Sequence, residues 1–214
     1  MVTRVLDARK ADALAAAAEA AARTLQEGGI VAIPTDTVYG LAVRADDDAV
    51  VKLLFEVKRR RDENPLPILL ADVDDLERVA GELSAAAREL ARRFWPGQLT
   101  LVIPKSDAVS DLVTAGKPTV GVRVPDHPVT RAVLRACPFL VAVTSANVSA
   151  LPPARDVDEA RRTFSGRVNL ILAADRCPGG VPSTVVDVTV NPPRILRAGS
   201  VSSAEITNAL RALA

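Results

Sequence analysis

The sequence is poor in the residues that most often announce a function. Aromatic side chains make up only 3% of it, which leaves little material for a base-stacking surface that grips single-stranded nucleic acid. Its two cysteines, Cys137 and Cys177, are too few for a secreted disulfide framework, and no spacing suggests zinc. The single histidine, His127, precedes Pro128 at an expected helix start and reads as a capping residue, with no serine or cysteine partner to make it a general base. Charge of one sign is lacking too. The 27 Lys+Arg face 26 Asp+Glu, so a globally basic nucleic-acid binder is disfavoured and any cationic surface has to be local. No apolar run approaches the roughly 20 residues of a membrane span, and Met1 to Lys10 lacks the basic-then-apolar order of a signal segment. The expectation is a soluble, cytoplasmic chain with no membrane partner.

Small and branched apolar residues are what the chain has in quantity. Hydrophobic residues make up 49%, mostly alanine, valine and leucine, a composition that packs a globular core. The length of 214 residues suits one well-buried domain, expected over 1–214, and no repeat or low-complexity linker divides it.

Periodicity and stop signals predict a helix over Asp12–Glu27 ended by Gly28-Gly29, then a buried strand over Ile30–Ile33. Asp46 to Asp48 open a second helix that continues over Ala49–Lys58, with Val50, Leu53, Leu54 and Val57 on one face. A strand over Leu66–Leu70, a helix near Asp74–Ala80 and a Ser84-capped helix ending at Trp95-Pro96-Gly97 follow. Strands are expected at Leu99–Ile103, Thr119–Val124, Phe139–Val143, Leu170–Ala173, Thr184–Val188 and Arg194–Leu196. Helices are expected over His127–Ala136, Asp158–Phe164 and from Ser203. Several strands follow one another with only turns between them. The fold class is therefore α/β with a mixed, helix-covered sheet, not a strict doubly wound one.

Polar residues gather where those strands end. Pro34-Thr35-Asp36-Thr37 follows a buried strand directly, a place where α/β folds bind ligands and also where Asp36 and Thr37 can simply satisfy turn donors. Lys58-Arg59-Arg60-Arg61 closes the second helix ahead of Asn64-Pro65. Four adjacent cations cannot share one helix face, and Arg with Lys suits a phosphate chain; taken alone, the run reads as a solvated charge cluster. On the Thr119–Arg123 strand, alternation puts Thr119, Gly121 and Arg123 on one side, and a buried arginine there needs an anionic partner. Ser145-Ala146-Asn147, Gly179-Gly180 to Ser183-Thr184 and Arg197-Ala198-Gly199 repeat the pattern. One mouth of the sheet is thus expected to collect Thr37, Arg60, Thr119, Arg123, Ser145, Asn147, Ser183 and Arg197. No nucleophile–base pair or metal-ligand cluster accompanies them.

Seven segments together resemble the YrdC/TsaC family of threonylcarbamoyl-AMP synthases. They are Pro-Thr-Asp-Thr-Val-Tyr-Gly-Leu, Lys-x-Arg-x-x-x-Asn-Pro-Leu, Trp-Pro-Gly-x-Leu-Thr-Leu-Val, Gly-Val-Arg-Val-Pro-Asp-His-Pro, Ser-Ala-Asn-Val-Ser, Ser-Thr-Val-Val-Asp and Leu-Arg-Ala-Gly. They lie in the family's order between about Ile30 and Gly199. The resemblance implies an open, twisted YrdC-like sheet with a large cationic cavity. It implies an enzyme that joins L-threonine, bicarbonate or CO2, and ATP into threonylcarbamoyl-adenylate and pyrophosphate. A partner complex then transfers the threonylcarbamoyl group to tRNA. By the same resemblance ATP is held by Lys58, Arg60, Asn64, Thr119, Asn147 and Arg197, with Lys58 and Arg60 as the catalytic cations, and L-threonine by Thr37, Arg123, Ser145 and Ser183. Mg2+ is implied on the ATP phosphates, with no protein side chain as metal ligand. The nucleophile is a carbamate made from the substrates, which accounts for the missing triad.

Arg61, Ala150 and Leu69 depart from the family pattern, where proline, glycine and (in longer members) histidine are common. The short, single-domain form is expected. The alternative reading is an RNA-binding or ribosome-maturation module that uses the same cationic cavity, with direct tRNA or RNA contact.

Overall fold

The computed structural model describes residues 1–59, 64–149, 151–179 and 181–211. In chain order these form β1 (Arg4–Asp7), α1 (Ala11–Gln26), β2 (Val31–Ile33), β3 (Gly40–Arg44), α2 (Asp48–Lys58), β4 (Ile68–Leu69), a 3-10 segment (Val73–Arg78) and α3 (Ala85–Phe94). Then come β5 (Leu99–Pro104), α4 (Asp111–Thr114), β6 (Thr119–Arg123), α5 (Pro128–Ala136), β7 (Val141–Ser145), α6 (Val157–Phe164), β8 (Leu170–Ala173), β9 (Thr184–Asp187), β10 (Arg194–Arg197) and α7 (Ser203–Leu210). The strands make one open sheet in the order β1-β8-β2-β3-β7-β4-β6-β5-β9-β10. It is mixed, as expected: β8 runs parallel to β1 and β2, β4 to β6 and β5 to β9, while the other neighbours are antiparallel.

Two strands escape the sequence pattern. β1 is an edge strand whose residues are mostly exposed, so its Arg4 and Asp7 hide it. β3 starts at Gly40, inside the stretch that reads as a turn. The segment near Asp74 is 3-10, not α. His127 occupies the N-cap position of α5 without a capping bond from its side chain, contrary to the expectation; the fixed φ of Pro128 does the work of starting that helix.

Strand alternation divides the apolar residues between the two faces. On one face Leu41, Val43, Ile68, Leu101, Val122 and Val186 pack under residues of α2, α3, α6 and α7. On the other, Val31, Ile33, Ala42, Leu69, Val141, Val143 and Leu172 pack under α1 and α5. Alanines 17, 18, 21 and 22 are buried in α1, and such small side chains let α1 lie close to α5. Gly28, at φ +74°, supplies the left-handed stop.

In α2, Asp47 caps the first turn through Ala49 N at 3.0 Å and Val50 N at 3.3 Å. The buried stripe is Val50, Val51, Leu54, Phe55 and Lys58, rotated one residue from the expected one, and Leu53 is exposed. That rotation turns Lys58 inward, where it is 1% exposed. Arg59 ends the helix with left-handed backbone, φ 50°, and points to solvent. Among the described residues no helix is long and apolar enough to cross a membrane.

Replacing Asp47 with alanine removes two bonds to otherwise orphaned amides at the start of α2, and should lower stability by about 1 kcal/mol in chemical denaturation. A second expectation concerns Asp72, whose carboxylate binds Arg135 at 2.9 Å and also Arg131, both on α5. The two guanidiniums, Arg135 first, hold its carboxyl below the usual carboxylate range. A depressed folded pKa stabilises above the unfolded value and is lost as pH falls through the folded one. Asp72→Asn should therefore lower stability at pH 7 in chemical denaturation, by about 1 kcal/mol or less. The gap from the wild type should close as the pH is taken below about 4. A gap that persists in acid would show that packing, not charge, is involved.

Candidate functional site

The two helical layers do not cover the sheet equally. On the α1/α5 face, the apolar core stops at β4, and the outward residues of β6, β5 and β9 join neither apolar cluster. Those residues are Thr119, Gly121 and Arg123 on β6, Thr100, Val102 and Pro104 on β5, and Val185 and Asp187 on β9, with Ser183 just ahead of it. Val102, Thr119, Gly121 and Val185 are half-buried. The candidate site is this helix-free face, together with the turns that reach over it. It is not one row of strand ends: Thr119 and Arg123 sit at opposite ends of β6, about 13 Å apart at the usual rise per residue. An enclosed cationic cavity is not seen among the described residues. A hollow of about 420 Å³ lies elsewhere, between Arg44 at the far end of β3 and Phe139 and Leu140 ahead of β7.

Arg123 anchors the face. Its Nε donates to Gly97 O at 2.8 Å and its Nη2 to Asp36 Oδ1 at 2.6 Å, both side chains being about nine-tenths buried. Burial pulls the guanidinium below its ordinary range and Asp36 pulls it back. The turn that carries Asp36 is organised by its neighbour, contrary to expectation: Thr35 Oγ1 accepts from the backbone amides of Thr37 (3.1 Å) and Val38 (3.2 Å). Thr35 and Thr37 share a hydroxyl bond of 2.9 Å. Gln98 Nε2 reaches Asp36 O at 2.8 Å, and Gly179 N reaches Thr37 O at 2.7 Å, so the turn is held from two sides.

A second group lies alongside. Arg197 donates to Ser183 O at 2.8 Å and to Ser183 Oγ at 3.1 Å, and Ser183 Oγ meets Thr100 Oγ1 at 2.9 Å. Burial lowers the Arg197 pKa and repulsion from Arg123 lowers it further, so two guanidiniums share the neighbourhood. Gly199 makes this return possible, since a Cβ there would lie 2.3 Å from Pro182 O and 2.4 Å from Thr184 N.

The third group joins α2 to the end of β7. Lys58 Nζ donates to Asn147 O (3.0 Å), to Asn147 Oδ1 (2.9 Å) and to Ser145 O. Ser145 Oγ donates to the same Asn147 Oδ1 at 2.6 Å, and Asn147 Nδ2 to Leu151 O at 2.7 Å. The lysine thus shapes the Ser-Ala-Asn turn from beneath, through neutral oxygens. Asn64 is exposed beyond α2.

Of the residues expected at the site, Arg123, Ser183 and Arg197 form one cluster, Lys58, Ser145 and Asn147 another, and Thr37 bridges toward the first. Thr119 stands apart on the same face. Arg60 lies outside the described residues, as do Arg61, Ala150 and Gly180. Leu69 is 8% exposed and belongs to the apolar core. Sequence reasoning missed Asp36 as the partner of Arg123 and Thr100 as the partner of Ser183. The need of a buried arginine for a carboxylate was legible, but not which carboxylate. Burial lowers the pKa of His127 against the pull of Asp36.

Comparison with known proteins places the chain in a family and agrees with the fold. The Sua5/YciO/YrdC family model, described as telomere recombination, matches residues 23–199. A threonylcarbamoyl-AMP synthase of Pyrococcus abyssi is 41% identical over 186 residues, and one of Bacillus subtilis is 40% identical over 187. Each match takes in 87% of this chain, which spans only 55% and 54% of those relatives. A putative threonylcarbamoyl-AMP synthase of Mycobacterium leprae is 38% identical over 98% of this chain and 94% of its own. Among solved structures, P. abyssi Sua5 complexed with L-threonine superposes with a TM-score of 0.90 at 37% identity, over 98% of this chain and 61% of that one. Escherichia coli YciO, at 22% identity and a TM-score of 0.85, shares the fold over 96% of this chain and 100% of its own. The chain belongs to the Sua5/YciO/YrdC family.

Proposed function

We propose that the protein is a threonylcarbamoyl-AMP synthase, which makes threonylcarbamoyl-adenylate and pyrophosphate from L-threonine, bicarbonate or CO2, and ATP. The observation that carries the reading is the cation-rich, hydroxyl-lined open face of the sheet, in a chain about 40% identical to proteins of that name. Arg123 and Arg197 crowd together there with Asp36 as a carboxylate partner of the first, and Arg197 bonds only to neutral oxygens of Ser183 in the bonds described above. Such a face gains by taking up anions, because each bound carboxylate or phosphate relieves the repulsion between guanidiniums.

In this reading Arg123, with Thr37 and Ser183, holds the threonine carboxylate and hydroxyl. Arg197 and Asn147 stand on the nucleotide side, and Thr119, farther along β6, marks the reach of a long ligand. Arg60 and Asn64 complete the nucleotide side. Lys58 supports the Ser145–Asn147 turn, and its charge stays close to the phosphates. No protein nucleophile is needed: threonine's nitrogen adds to CO2, the carbamate attacks the α-phosphate, and pyrophosphate leaves. The protein's work is to align two anionic reactants and offset their charge. The cations and hydroxyls fit phosphates, not a divalent metal, so Mg2+ would enter with ATP and would supply further charge neutralisation. Cytoplasmic location and hand-over of the product to a tRNA-modifying partner complex belong to the same proposal. Near-balanced charge and few aromatics speak against the alternative of an RNA-binding module.

Purified protein should release pyrophosphate from ATP only when L-threonine and bicarbonate are both present. Threonine-independent release, or none, would reject the assignment. Arg123→Ala should weaken L-threonine binding about ten- to hundredfold while leaving ATP within a few-fold, and Arg197→Ala should do the reverse, as read by calorimetric titration. Equal losses of both ligands in both variants would show that the two arginines serve one shared subsite.

A further inference from the structure

Buried polar atoms in folded proteins nearly always have partners, and each exception calls for a reason. Among the described residues, three side-chain atoms are closed to solvent without a hydrogen-bond partner: Asp36 Oδ2, His127 Nδ1 and Arg155 Nε. The first two belong to one neighbourhood. Thr130, in the first turn of α5, donates to Pro34 O, which brings the start of that helix against the Asp36 turn, and His127 opens the same helix. The Asp36 carboxylate is thus half-satisfied. Its Oδ1 holds Arg123 at 2.6 Å, whereas Oδ2 has a demand for a donor that the protein does not meet. Leaving a charged acceptor so costs more than leaving a neutral one. The backbone around it is anchored by Gln98 and Gly179, so the vacancy is not a product of a loose turn.

We propose that Asp36 Oδ2 receives the α-ammonium group of the incoming amino acid while Arg123 takes its α-carboxylate, so that the ion pair reads the substrate as a zwitterion. The proposal rests on the threonine reading above and adds to it the group that recognises nitrogen. An α-amino acid carries its two charges on neighbouring atoms of one carbon centre. A buried carboxylate and guanidinium held side by side are its charge complement; the guanidinium alone would hold any carboxylic acid, and the carboxylate adds the preference for one that carries an ammonium. Oδ2 is closed to solvent as it stands, so the ammonium meets it only once the Asp36 side chain, which keeps 11% of its surface exposed, turns toward the open face. The bond from Arg123 Nε to Gly97 O steadies the guanidinium during that turn. The contact belongs to the arriving amino acid, before its nitrogen is converted.

The competing explanation is purely structural: Asp36 only holds Arg123, and Oδ2 binds a buried water. Calorimetric titration with L-threonine and with (R)-3-hydroxybutyrate, which has hydrogen in place of the ammonium, separates the two. The wild type should prefer L-threonine by about ten- to hundredfold. Asp36→Asn and Asp36→Ser should lose that preference through weaker L-threonine binding, with hydroxybutyrate within a few-fold of wild type and ATP binding retained as the sign of a folded site. Equal weakening of both ligands in the variants would mean that Asp36 acts only through Arg123, and would overturn the proposal. Equal binding of both by the wild type would overturn it with no variant needed. A wild type that binds neither ligand overturns the threonine reading itself, and this proposal with it.

Discussion

A sheet of ten strands has more face than its helices can cover, and what the uncovered part exposes decides the rest. Two helices, α1 and α5, lie on one face, and their apolar core ends at β4. Beyond that line the strands still alternate, so β5, β6 and β9 send every second residue to a face without helical cover. Apolar residues there would lie open as a sticky patch. Val102 and Val185 are half-buried exceptions; around them stand threonines, a serine, a glycine and two arginines, several held by one another. Site and fold are therefore the same choice seen twice: the residues withheld from the core are those available to a ligand.

Three bonded groups turn that face into a defined surface. The Asp36 turn is fixed through Thr35, Gln98 and Gly179, the Ser145–Asn147 turn through Lys58, and the returning chain after β10 through Arg197 and Ser183. The first two join segments far apart in sequence, and the third closes a span of 14 residues. Arg123 and Asp36, for instance, are 87 residues apart, and Lys58 and Ser145 are too. Arg123 and Arg197 each carry a desolvation cost and, like Lys58, are bonded, so these parts of the surface are preorganised before any ligand arrives.

Helix stops and strand alternation were legible because they are local. Gly28-Gly29, the Ser84 cap and the alternation of Thr119 to Arg123 each depend on a few neighbouring residues. The mixed sheet was legible from strands that follow one another without helices. The inward turn of Lys58 was only partly so: Val51, Leu54, Phe55 and Lys58 fit helical spacing as well as the stripe through Leu53 does, and tertiary packing makes the choice. The open face was not legible at all, since it depends on which helices fold over which strands. The partner of Arg123 was out of reach for the same reason. β1 was lost because an edge strand tolerates charges that elsewhere mark a loop.

The close packing at Gly199 has a bearing on how the chain comes to work during its synthesis. β9 pairs in parallel with β5, β8 with β1 and β2, and the stretch from Arg197 to Gly199 folds back on Pro182 to Thr184. Helices and hairpins of the first half can form as they are made, but these long-range pairings wait for residues made much later. Until then the nascent chain holds Arg123 and its carboxylate partner without Ser183 or Arg197 beside them. A chain cut before Arg197 would hold most of this core with an unfinished open face, so binding competence follows the emergence of that arginine.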